Sequence, residues 1–292
     1  MSLSTAVTFP PTQWADHSIT WGQQTYVMGI INATPDSFSG DGLRTSDDWI
    51  ERATAQAEHF VAEGALFIDV GGESTRPNAA TVTIEQEIER VVPVIQALRA
   101  HLPAQVIISI DTYKAEVASR ALEAGANLIN DIWGLKHDPS MAEVARSYGV
   151  PVVLMANMRG YQKHEIVSDV TRFLSAAIDR ALAAGIPWEH IIIDPGIGFG
   201  TTALENLTLL RRLGELRLLG RPLLLGTSRK STIGKVLGDL PPEERLEGTA
   251  ATVALGIAQG ADIVRVHDVR EMMRVVKMSD AIVRGTFQQP DA

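Results

Sequence analysis

The chain has 292 residues, a hydrophobic fraction of 45% and a formal net charge of −9. This acidic, ordinary globular composition argues against a nucleic-acid partner or an anionic membrane surface. The sequence contains no cysteine, which excludes disulfides, thiolate nucleophiles and cysteine-ligated metals. No apolar run approaches the ~18 residues that span a bilayer, and the first 24 residues lack the pattern of a signal peptide. A cytoplasmic location is therefore expected.

Eight short apolar runs recur along the chain, and each is followed by a polar or glycine-rich turn. Most of them are nearly continuous Val, Ile and Leu, which is typical of parallel strands buried on both faces. In chain order the predicted strands are residues 26–32, 65–70, 106–111, 127–131, 150–155, 190–194, 222–227 and 261–267.

Segments of helical period follow these runs. Ser46 and Thr83 are placed to cap the first two, and Gln86 stands at the capping-box spacing from Thr83. Eight strand–helix units in succession favour a single-domain (β/α)8 TIM barrel, with a doubly wound sheet as the alternative. The predicted helices are residues 47–63, 84–101, 114–124, 140–148, 168–184, 203–219, 242–259 and 269–284.

The ends of the chain are expected to lie outside the barrel. Residues 17–26 resemble a short β-hairpin that closes the barrel floor, so the predicted N-terminal extension with the start of the hairpin covers residues 1–24. The barrel is predicted to span residues 25–285, and residues 286–292 form a C-terminal tail. Apart from these ends, no low-complexity linker or break in composition divides the chain.

Nearly every predicted strand ends in a polar side chain. In a (β/α)8 barrel these ends meet at one mouth, where the site lies. A single Asp there is usually a helix cap or a turn residue, as we expect of Asp131 and Asp138, but the joint pattern indicates a convergent ligand site. The strand-end residues are Asn32, Asp69, Asp111, Asn130, Asn157, Asp194, Thr227 with Arg229 and Lys230, and Arg265 with His267.

The side chains at this mouth indicate the chemistry of the ligand. Asp111, Asn130 and Asp194 suit a flat heterocycle with several N–H donors, because a carboxylate accepts two donors side by side. A further set of cationic or basic side chains suits phosphate oxygens or a carbonyl. The ligand is therefore expected to be a heteroaromatic ring with an anionic tail. The second set is Arg76, Lys230, Arg265 and His267.

Other motifs are excluded by their spacing. The glycines of "GIGFG" stand at 196, 198 and 200, which is not the G-x-G-x-x-G pattern of dinucleotide-binding loops. "GTSRKST" lacks the glycines of a phosphate-binding loop. The sequence has neither a G-x-S-x-G elbow nor an H-E-x-x-H motif.

Seven stretches, in order, resemble the dihydropteroate synthase family. They are "GIINATPDSFSGDG" (29–42), "FIDVGGESTRPNA" (67–79), "SIDTYK" (109–114), "NLINDIWG" (127–134), "DPGIGFG" (194–200), "GTSRKS" (226–231) and "VRVHDV" (264–269). The resemblance covers about residues 25–285. It implies a homodimeric (β/α)8 enzyme of folate synthesis that joins 4-aminobenzoate to (7,8-dihydropterin-6-yl)methyl diphosphate and releases pyrophosphate with Mg²⁺ present. It also implies that sulfonamides compete with 4-aminobenzoate.

The resemblance further implies roles for individual residues. The pterin ring would be held by Asp111, Asn130, Asp194 and Lys230, with Met155 and Gly226 beside it. The diphosphate would meet Asn32, Arg265 and His267, and Asn32 would also be a Mg²⁺ ligand. The 4-aminobenzoate pocket would involve Thr75, Arg76, Pro77, Phe199 and Ser231. The catalytic set would be Asp36, Phe38, Arg76 and Lys230.

Two positions depart from the family pattern. Ala156 stands where histidine is common, which leaves the role of Asn157 open, and Thr201 stands where lysine is common. Loops 32–44 and 72–84 are expected to act as lids that are poorly ordered without ligand. Two alternatives remain: a pterin-binding relative that transfers a methyl group from methyltetrahydrofolate, and a catalytically silent pterin-binding paralogue.

Overall fold

A computed structural model describes residues 9–33, 48–74 and 81–287. Two short strands, β1 (Thr12–Trp14) and β2 (His17–Ile19), form an antiparallel hairpin. Eight parallel strands follow, namely β3 (Tyr26–Asn32), β4 (Phe67–Gly71), β5 (Ile107–Asp111), β6 (Leu128–Asp131), β7 (Val152–Met155), β8 (Ile191–Asp194), β9 (Leu224–Leu225) and β10 (Ile263–Val266). The described helices are α1 (Trp49–Ala62), α2 (Ile84–His101), α3 (Ala115–Glu123), α4 (Met141–Tyr148), α5 (Ile166–Ala183), α6 (Ala203–Arg211), α7 (Ser231–Val236), α8 (Leu246–Ala258) and α9 (Val269–Val283).

The eight parallel strands close into a barrel. Strands β3 to β8 pair in chain order, and β10 pairs with both β3 and β9. The remaining gap between β8 and β9 is bridged at Ile193 and Leu223, and the Ile193 amide donates to the Pro222 carbonyl at 2.9 Å. The predicted (β/α)8 barrel is confirmed, and the doubly wound alternative is excluded because the sheet has no open edge of that kind.

The strands are apolar throughout because both of their faces are covered. Ile68, Ile108 and Ile129 have no exposed surface, as expected when inner residues fill the barrel and outer residues meet the helices. The helices approach the strands closely. A Cβ atom at Gly29 would lie only 2.5 Å from the Phe60 ring on α1. This glycine lets α1 pack directly on β3.

The hairpin lies earlier in the chain than predicted. Its strands occupy residues 12–19 instead of 17–26, since Trp21 leaves the ladder and buries its ring while donating Nε1–H to Thr12 Oγ1. The hairpin covers the amino-terminal end of the barrel, as expected. Thr12 Oγ1 donates to the Glu189 carbonyl at 2.6 Å, and the His17 Nε2 and Asn127 Nδ2 atoms are 2.7 Å apart.

Side-chain caps set several helix starts. The capping box at Thr83 and Gln86 is confirmed. Helix α5 begins at Ile166, two residues before the prediction, because the Glu165 carboxylate accepts from the amides of Val167 and Ser168. Helix α1 begins only at Trp49, after the predicted start at 47, and Ser46 lies outside the described residues.

Three segments differ from the prediction in type. The sequence pattern missed the short helix α7, which begins within "GTSRKST". The segment predicted as one helix over 203–219 ends at Arg211 and continues as the 3₁₀ helix Leu213–Leu219. Residues 242–244 form a separate 3₁₀ turn before α8. Across the described ranges, no helix is both long and apolar enough to cross a membrane.

Candidate active site

The predicted ring-binding residues meet at one mouth of the barrel. Asn32, Gly71, Asp111 and Asn130 are paired directly across four neighbouring strands, at or near the carboxyl end of each. Asp194 is the last residue of β8. Parallel strands end at the same rim, so the structure brings Asp111, Asn130 and Asp194 to one end, as the sequence predicted.

Arg265 holds two carboxylates at this mouth. Its Nε donates to Asp69 Oδ2 at 2.6 Å, and its Nη2 donates to Asp111 Oδ2 at 2.7 Å. Burial disfavours the charge on Arg265, but the adjacent Asp69 and Asp111 outweigh it and raise the arginine pKa. Burial raises the pKa of Asp111 to about 7 against the opposing effect of Arg265. Arg265 therefore lies among the acceptors that are predicted to bind the ring, and it donates to two of the carboxylates there.

Asp194 and Lys230 form the opposite side of the mouth. Asp194 Oδ1 accepts from the Gly196 amide at 2.7 Å, and burial raises the pKa of Asp194. A Cβ atom at Gly226 would lie 3.9 Å from Asp194 Oδ2, 4.0 Å from Lys230 Nζ and 3.9 Å from Arg265 Cβ. Gly226 therefore lies between the three charged side chains, and its missing side chain leaves space among them.

Lys230 is held near both the acidic ring and an aromatic face. Its ammonium donates to the Ile197 carbonyl and lies 4.9 Å from the centre of the Phe199 ring. Burial lowers the pKa of Lys230 to about 8, although Asp194 raises it in part. A lysine in this state is poised to lose its proton in mildly alkaline solution.

This lowered pKa predicts a pH-dependent stability. Between pH 8 and the ordinary lysine value of about 10.4, the unfolded chain holds a proton on Lys230 that the folded chain has released. Unfolding then takes up a proton, so the contribution of Lys230 to stability rises with pH by at most about 1.4 kcal/mol per unit. Denaturation of the wild type and Lys230→Met from pH 7 to 10 should show the wild type gaining relative stability above pH 8. If the free energies of unfolding of the two proteins changed in parallel with pH, the lowered pKa of Lys230 would be contradicted.

The loop after β8 places Met155 and Phe199. Gly196 has φ +70°, and a Cβ atom there would lie 1.8 Å from the Ala156 carbonyl oxygen and 3.4 Å from Met155 Cγ. The backbone of this loop therefore rests directly on the end of β7, which keeps the buried Met155 next to Asp194. Phe199 is held nearby through its carbonyl, which accepts from the Met158 amide.

The structure shows what Asn157 and Thr201 contact, at or beside the two departures from the family pattern. Asn157 is fully buried, and its side chain donates to the Ile132 carbonyl and accepts from the Arg159 amide. Its role is to join the ends of β6 and β7. Thr201 accepts from the Gly198 amide and donates to Asn206 Oδ1 at 2.6 Å, so its hydroxyl closes the glycine-rich loop.

Arg159 also lies at this part of the candidate site, where the sequence analysis did not predict it. Its guanidinium lies 5.0 Å from the centre of the Phe199 ring, which Lys230 also approaches. Such contacts between a cation and an aromatic face are favourable. The only signal was the cationic "MRG" after β7, which does not reveal that the chain turns toward Phe199.

Three more predicted residues lie at the rim. Asn32 ends β3 with an exposed side chain. His267 follows β10, and its Nδ1 is 2.9 Å from Ser228 Oγ, which fixes the imidazole ring. Ser231 is the exposed first residue of α7, directly after Lys230.

The described residues can supply Mg²⁺ with only a small number of protein ligands. Across residues 9–33, 48–74 and 81–287, no three His, Asp or Glu side chains cluster as a metal site. The exposed Asn32 amide nevertheless offers a hard oxygen at the mouth. A single such ligand suits Mg²⁺, which usually binds through one or two protein oxygens, substrate phosphates and several waters.

Five predicted residues, Asp36, Phe38, Thr75, Arg76 and Pro77, lie outside the described residues, as do residues 34–44 of the first expected lid and 75–80 of the second. The chain on both sides of 75–80 is joined by Lys114. Its ammonium donates to Glu73 at 2.8 Å, to the Val82 carbonyl at 2.7 Å and to the buried Glu87 at 2.5 Å.

Asp131 and Asp138 accept from backbone amides, as expected for residues that cap and turn the chain.

The barrel carries an acidic mouth, and residues 28–267 match the family described as pterin binding enzyme. Together these features define an enzyme of the pterin-binding class. The dihydropteroate synthase of Clostridium beijerinckii is 52% identical over 90% of this chain and 96% of its own length. That of Bacillus subtilis is 49% identical over 91% of both chains. The chain belongs to the dihydropteroate synthase family.

Solved structures agree in fold. Dihydropteroate synthase from Clostridium difficile, determined in the presence of pteroic acid, has a TM-score of 0.85 and 48% identity, over 90% of this chain and 98% of that one. The Xanthomonas albilineans enzyme with 4-aminobenzoic acid has a TM-score of 0.87 and 40% identity, over 94% and 98% of the two chains. The same enzyme in complex with 7,8-dihydropteroate has a TM-score of 0.84 and 38% identity, again over 94% and 98%.

Proposed function

We propose that this chain condenses (7,8-dihydropterin-6-yl)methyl diphosphate with 4-aminobenzoate to give 7,8-dihydropteroate and pyrophosphate, as a transferase of folate biosynthesis. The observation that carries the proposal is the mouth itself, where Asp111, Asn130 and Asp194 surround a space bordered by Lys230 and Arg265. Pteroic acid, 4-aminobenzoic acid and 7,8-dihydropteroate accompany solved relatives, and these are the compounds that such a site would accommodate.

The acceptors of the mouth would orient the pterin ring. Asp194 keeps one oxygen on the Gly196 amide and turns the other toward Gly226, where it can accept ring N–H groups. Asn130 donates its NH₂ to Asp69 at 3.2 Å, which leaves its carbonyl oxygen as a second acceptor. A ring without matching donors would leave these buried acceptors unpaired, at about 1–3 kcal/mol each. This cost would select for a pterin.

Rim residues would bind the diphosphate and the second substrate. His267, held by Ser228, lies beside the strand that carries Arg265, and Asn32 stands at the next rim position on β3. When bound at Asn32 and the diphosphate, Mg²⁺ would neutralise charge on the leaving group. Phe199, with Lys230 and Arg159 near its face, would form one wall of the 4-aminobenzoate pocket together with Ser231, Thr75, Arg76 and Pro77.

The proposed mechanism is a dissociative substitution at the pterin methylene. Scission of the C–O bond leaves positive charge on the pterin, which the Asp111 and Asp194 carboxylates would stabilise from fixed positions. The aryl amine then attacks the methylene carbon to form the C–N bond, and the released pyrophosphate or water takes the proton that the nitrogen loses. The contribution of this chain would be preorganised electrostatics and positioning, to which Asp36, Phe38 and Arg76 would add groups from the two loops.

A homodimer is proposed on the basis of two neighbouring helices. On α8, Ala251, Leu255 and Ala258 are exposed at helical spacing, and on α9 Met278 and Ile282 are each more than 60% exposed. An apolar face of this kind favours a second copy of the chain. The absence of a nucleic-acid partner and the cytoplasmic location stay predictions.

The Leu255→Asp variant is expected to weaken self-association of the chain. A charge on the exposed α8 face would be buried without a partner in a dimer, at a cost of several kcal/mol, while the folded monomer keeps it in water. Sedimentation should show a dimer for the wild type and a monomer at the same concentration for the variant. Leu218→Asp, at a site that is 90% exposed on another helix, is the control. An unchanged dimer in Leu255→Asp would place the interface elsewhere.

Pyrophosphate release tests the proposed function directly. Turnover should require both the dihydropterin diphosphate and 4-aminobenzoate, and sulfonamides should compete with 4-aminobenzoate. Methyl transfer from methyltetrahydrofolate without pyrophosphate release would instead identify the methyltransferase relative. Binding of pteroic acid without turnover would identify the silent paralogue.

A further inference from the structure

Asp69 lies directly beneath the ring-binding residues. It is the third residue of β4, pairs with Ile30 and Ser109, and has no exposed surface. Two residues further along the strand, on the same face, stands Gly71, where a Cβ atom would lie 3.6 Å from Asp111 Cβ. The mouth is therefore left open above Asp69, and the carboxylate itself is covered by its neighbours.

One oxygen of Asp69 holds two predicted ligand-binding residues. Asp69 Oδ2 accepts from Arg265 Nε at 2.6 Å and from Asn130 Nδ2 at 3.2 Å. An ionised carboxylate can only accept hydrogen bonds, so it forces Asn130 to turn its NH₂ inward. The carbonyl oxygen of Asn130 then faces away from Asp69, and it has no hydrogen-bond partner within the described ranges.

We propose that Asp69 is a positioning residue, which fixes the Asn130 amide and the Arg265 guanidinium so that the mouth presents acceptors to the pterin. The inference rests on the proposed function and deepens it. It names a residue that the ligand does not touch, yet which makes the site select a ring with N–H donors. Without Asp69, the Asn130 amide could present either its carbonyl or its NH₂ group to the ligand, and only the carbonyl would match a ring N–H.

Stability alone does not explain this carboxylate. Its second oxygen, Oδ1, is buried without a partner in the described structure, and an unpaired buried polar atom is costly. A buried ion pair is itself weak evidence for stability, since an apolar replacement is often neutral or better. Negative charge on Asp69 also works against ionisation of Asp111, whose pKa it helps to raise. The Asp69 carboxylate is therefore unfavourable for stability, and it lies where it fixes the Asn130 and Arg265 side chains.

Exchange of the two side chains provides the sharpest test. The Asn130→Asp variant places two carboxylates against each other, and we expect it to bind pteroic acid at least about 100-fold more weakly than the wild type. The double variant Asp69→Asn with Asn130→Asp reverses the pair, so the new amide at 69 can donate to the new carboxylate at 130. It should bind at least about 10-fold more tightly than Asn130→Asp alone.

Asp69→Asn alone should weaken pteroic acid binding by about 10-fold or more. Asp131→Asn is the matched control, since Asp131 is as buried as Asp69 and follows Asn130 on β6, but it accepts only from backbone amides. It is expected to lower the melting temperature and leave affinity unchanged. If Asp69→Asn does not fold, the comparison of Asn130→Asp with the double variant decides alone.

The outcomes separate the two proposals. Wild-type affinity in Asp69→Asn, or no recovery in the double variant, would overturn the positioning role while leaving the proposed function intact. A wild type that binds no pteroic acid would overturn the proposed function and this inference with it.

Discussion

Replacing Arg265 with methionine is expected to lower the free energy of unfolding by about 3–5 kcal/mol, because one partner of a buried ionic network is removed. Asp69 has no exposed surface, and the Asp111 side chain is only 15% exposed. Both carboxylates would lose the guanidinium that now lies within 2.7 Å of each. Pteroic acid binding should be lost as well, since the acceptors would repel one another and move apart.

The loss in Arg265→Met should depend on pH in a defined direction. The pKa of Asp111 is already raised to about 7 by burial, and Arg265 is the main group that lowers it. Between pH 4 and 7 the wild type and the variant both hold a proton on Asp111 that the unfolded chain has released, so both lose stability in parallel as pH rises. Without Arg265 the variant would keep this proton above pH 7, so its stability should go on falling there while that of the wild type levels off. Urea denaturation at pH 5 and 8 measures this difference.

Arg229→Met is the control for a cation at the same rim. Arg229 pairs with Asp268 in a partly exposed position, and such pairs contribute about 0–1 kcal/mol. Its removal should cost little at either pH. If Arg265→Met were no more destabilising than Arg229→Met, the two buried carboxylates would have to be neutral or otherwise compensated.

The barrel was predictable because its strands carry a strong local signal. Strand β3 and helix α2 have the predicted bounds, since a continuous apolar run and a capping box define their ends. Elements that depend on distant contacts were less predictable. The hairpin was predicted too late in the chain, because tryptophan is typical of strands. In the structure Trp21 lies outside the hairpin, and its indole donates to Thr12. Strand β9 has two residues instead of six, because the polar site begins at Gly226.

The candidate site was predictable at the level of the rim but not of its hydrogen bonds. Strand-end aspartates identify the mouth, because parallel strands in a barrel share one carboxyl end. The sequence does not show that Arg265 reaches along the barrel interior to Asp69 and Asp111, nor that Arg159 turns onto Phe199. These contacts join residues that are far apart in the chain, so no local pattern records them.

The barrel interior changes character from the core to the mouth. Below the Asp69 level the paired residues are apolar, as at Met28 and Phe67, and fully buried. At Asp69 and above, charged and polar side chains bind one another. Arg265 donates to the Asp69 and Asp111 carboxylates, and Asp69 accepts from both Arg265 and the Asn130 amide. Removal of any member leaves buried polar atoms unpaired, so stability and ligand binding depend on the same few contacts.

Asp194→Asn should weaken pteroic acid binding by at least about 100-fold while the fold is retained. Asp194 Oδ1 must accept from the Gly196 amide, because Gly196 is held against the Ala156 carbonyl. An asparagine that keeps this bond turns its NH₂ toward Gly226 and Lys230, where the ligand N–H groups would lie. The alternative orientation sets the NH₂ against the Gly196 amide. Either arrangement opposes two donors in a buried site, and such a mismatch costs about 1–3 kcal/mol for each unpaired group.

Isothermal titration of Asp194→Asn and Asp138→Asn separates ligand recognition from a general effect of losing a carboxylate. Asp138 caps α3 through the Ala115 amide and accepts from Ser140, and asparagine is an equally good cap. Asp138→Asn should therefore bind pteroic acid as the wild type does. Because burial already raises the pKa of Asp194, the protonated wild type also loses an acceptor, and its affinity should fall toward that of Asp194→Asn on acidification. Equal affinities for the wild type and Asp194→Asn would remove Asp194 from the ligand site.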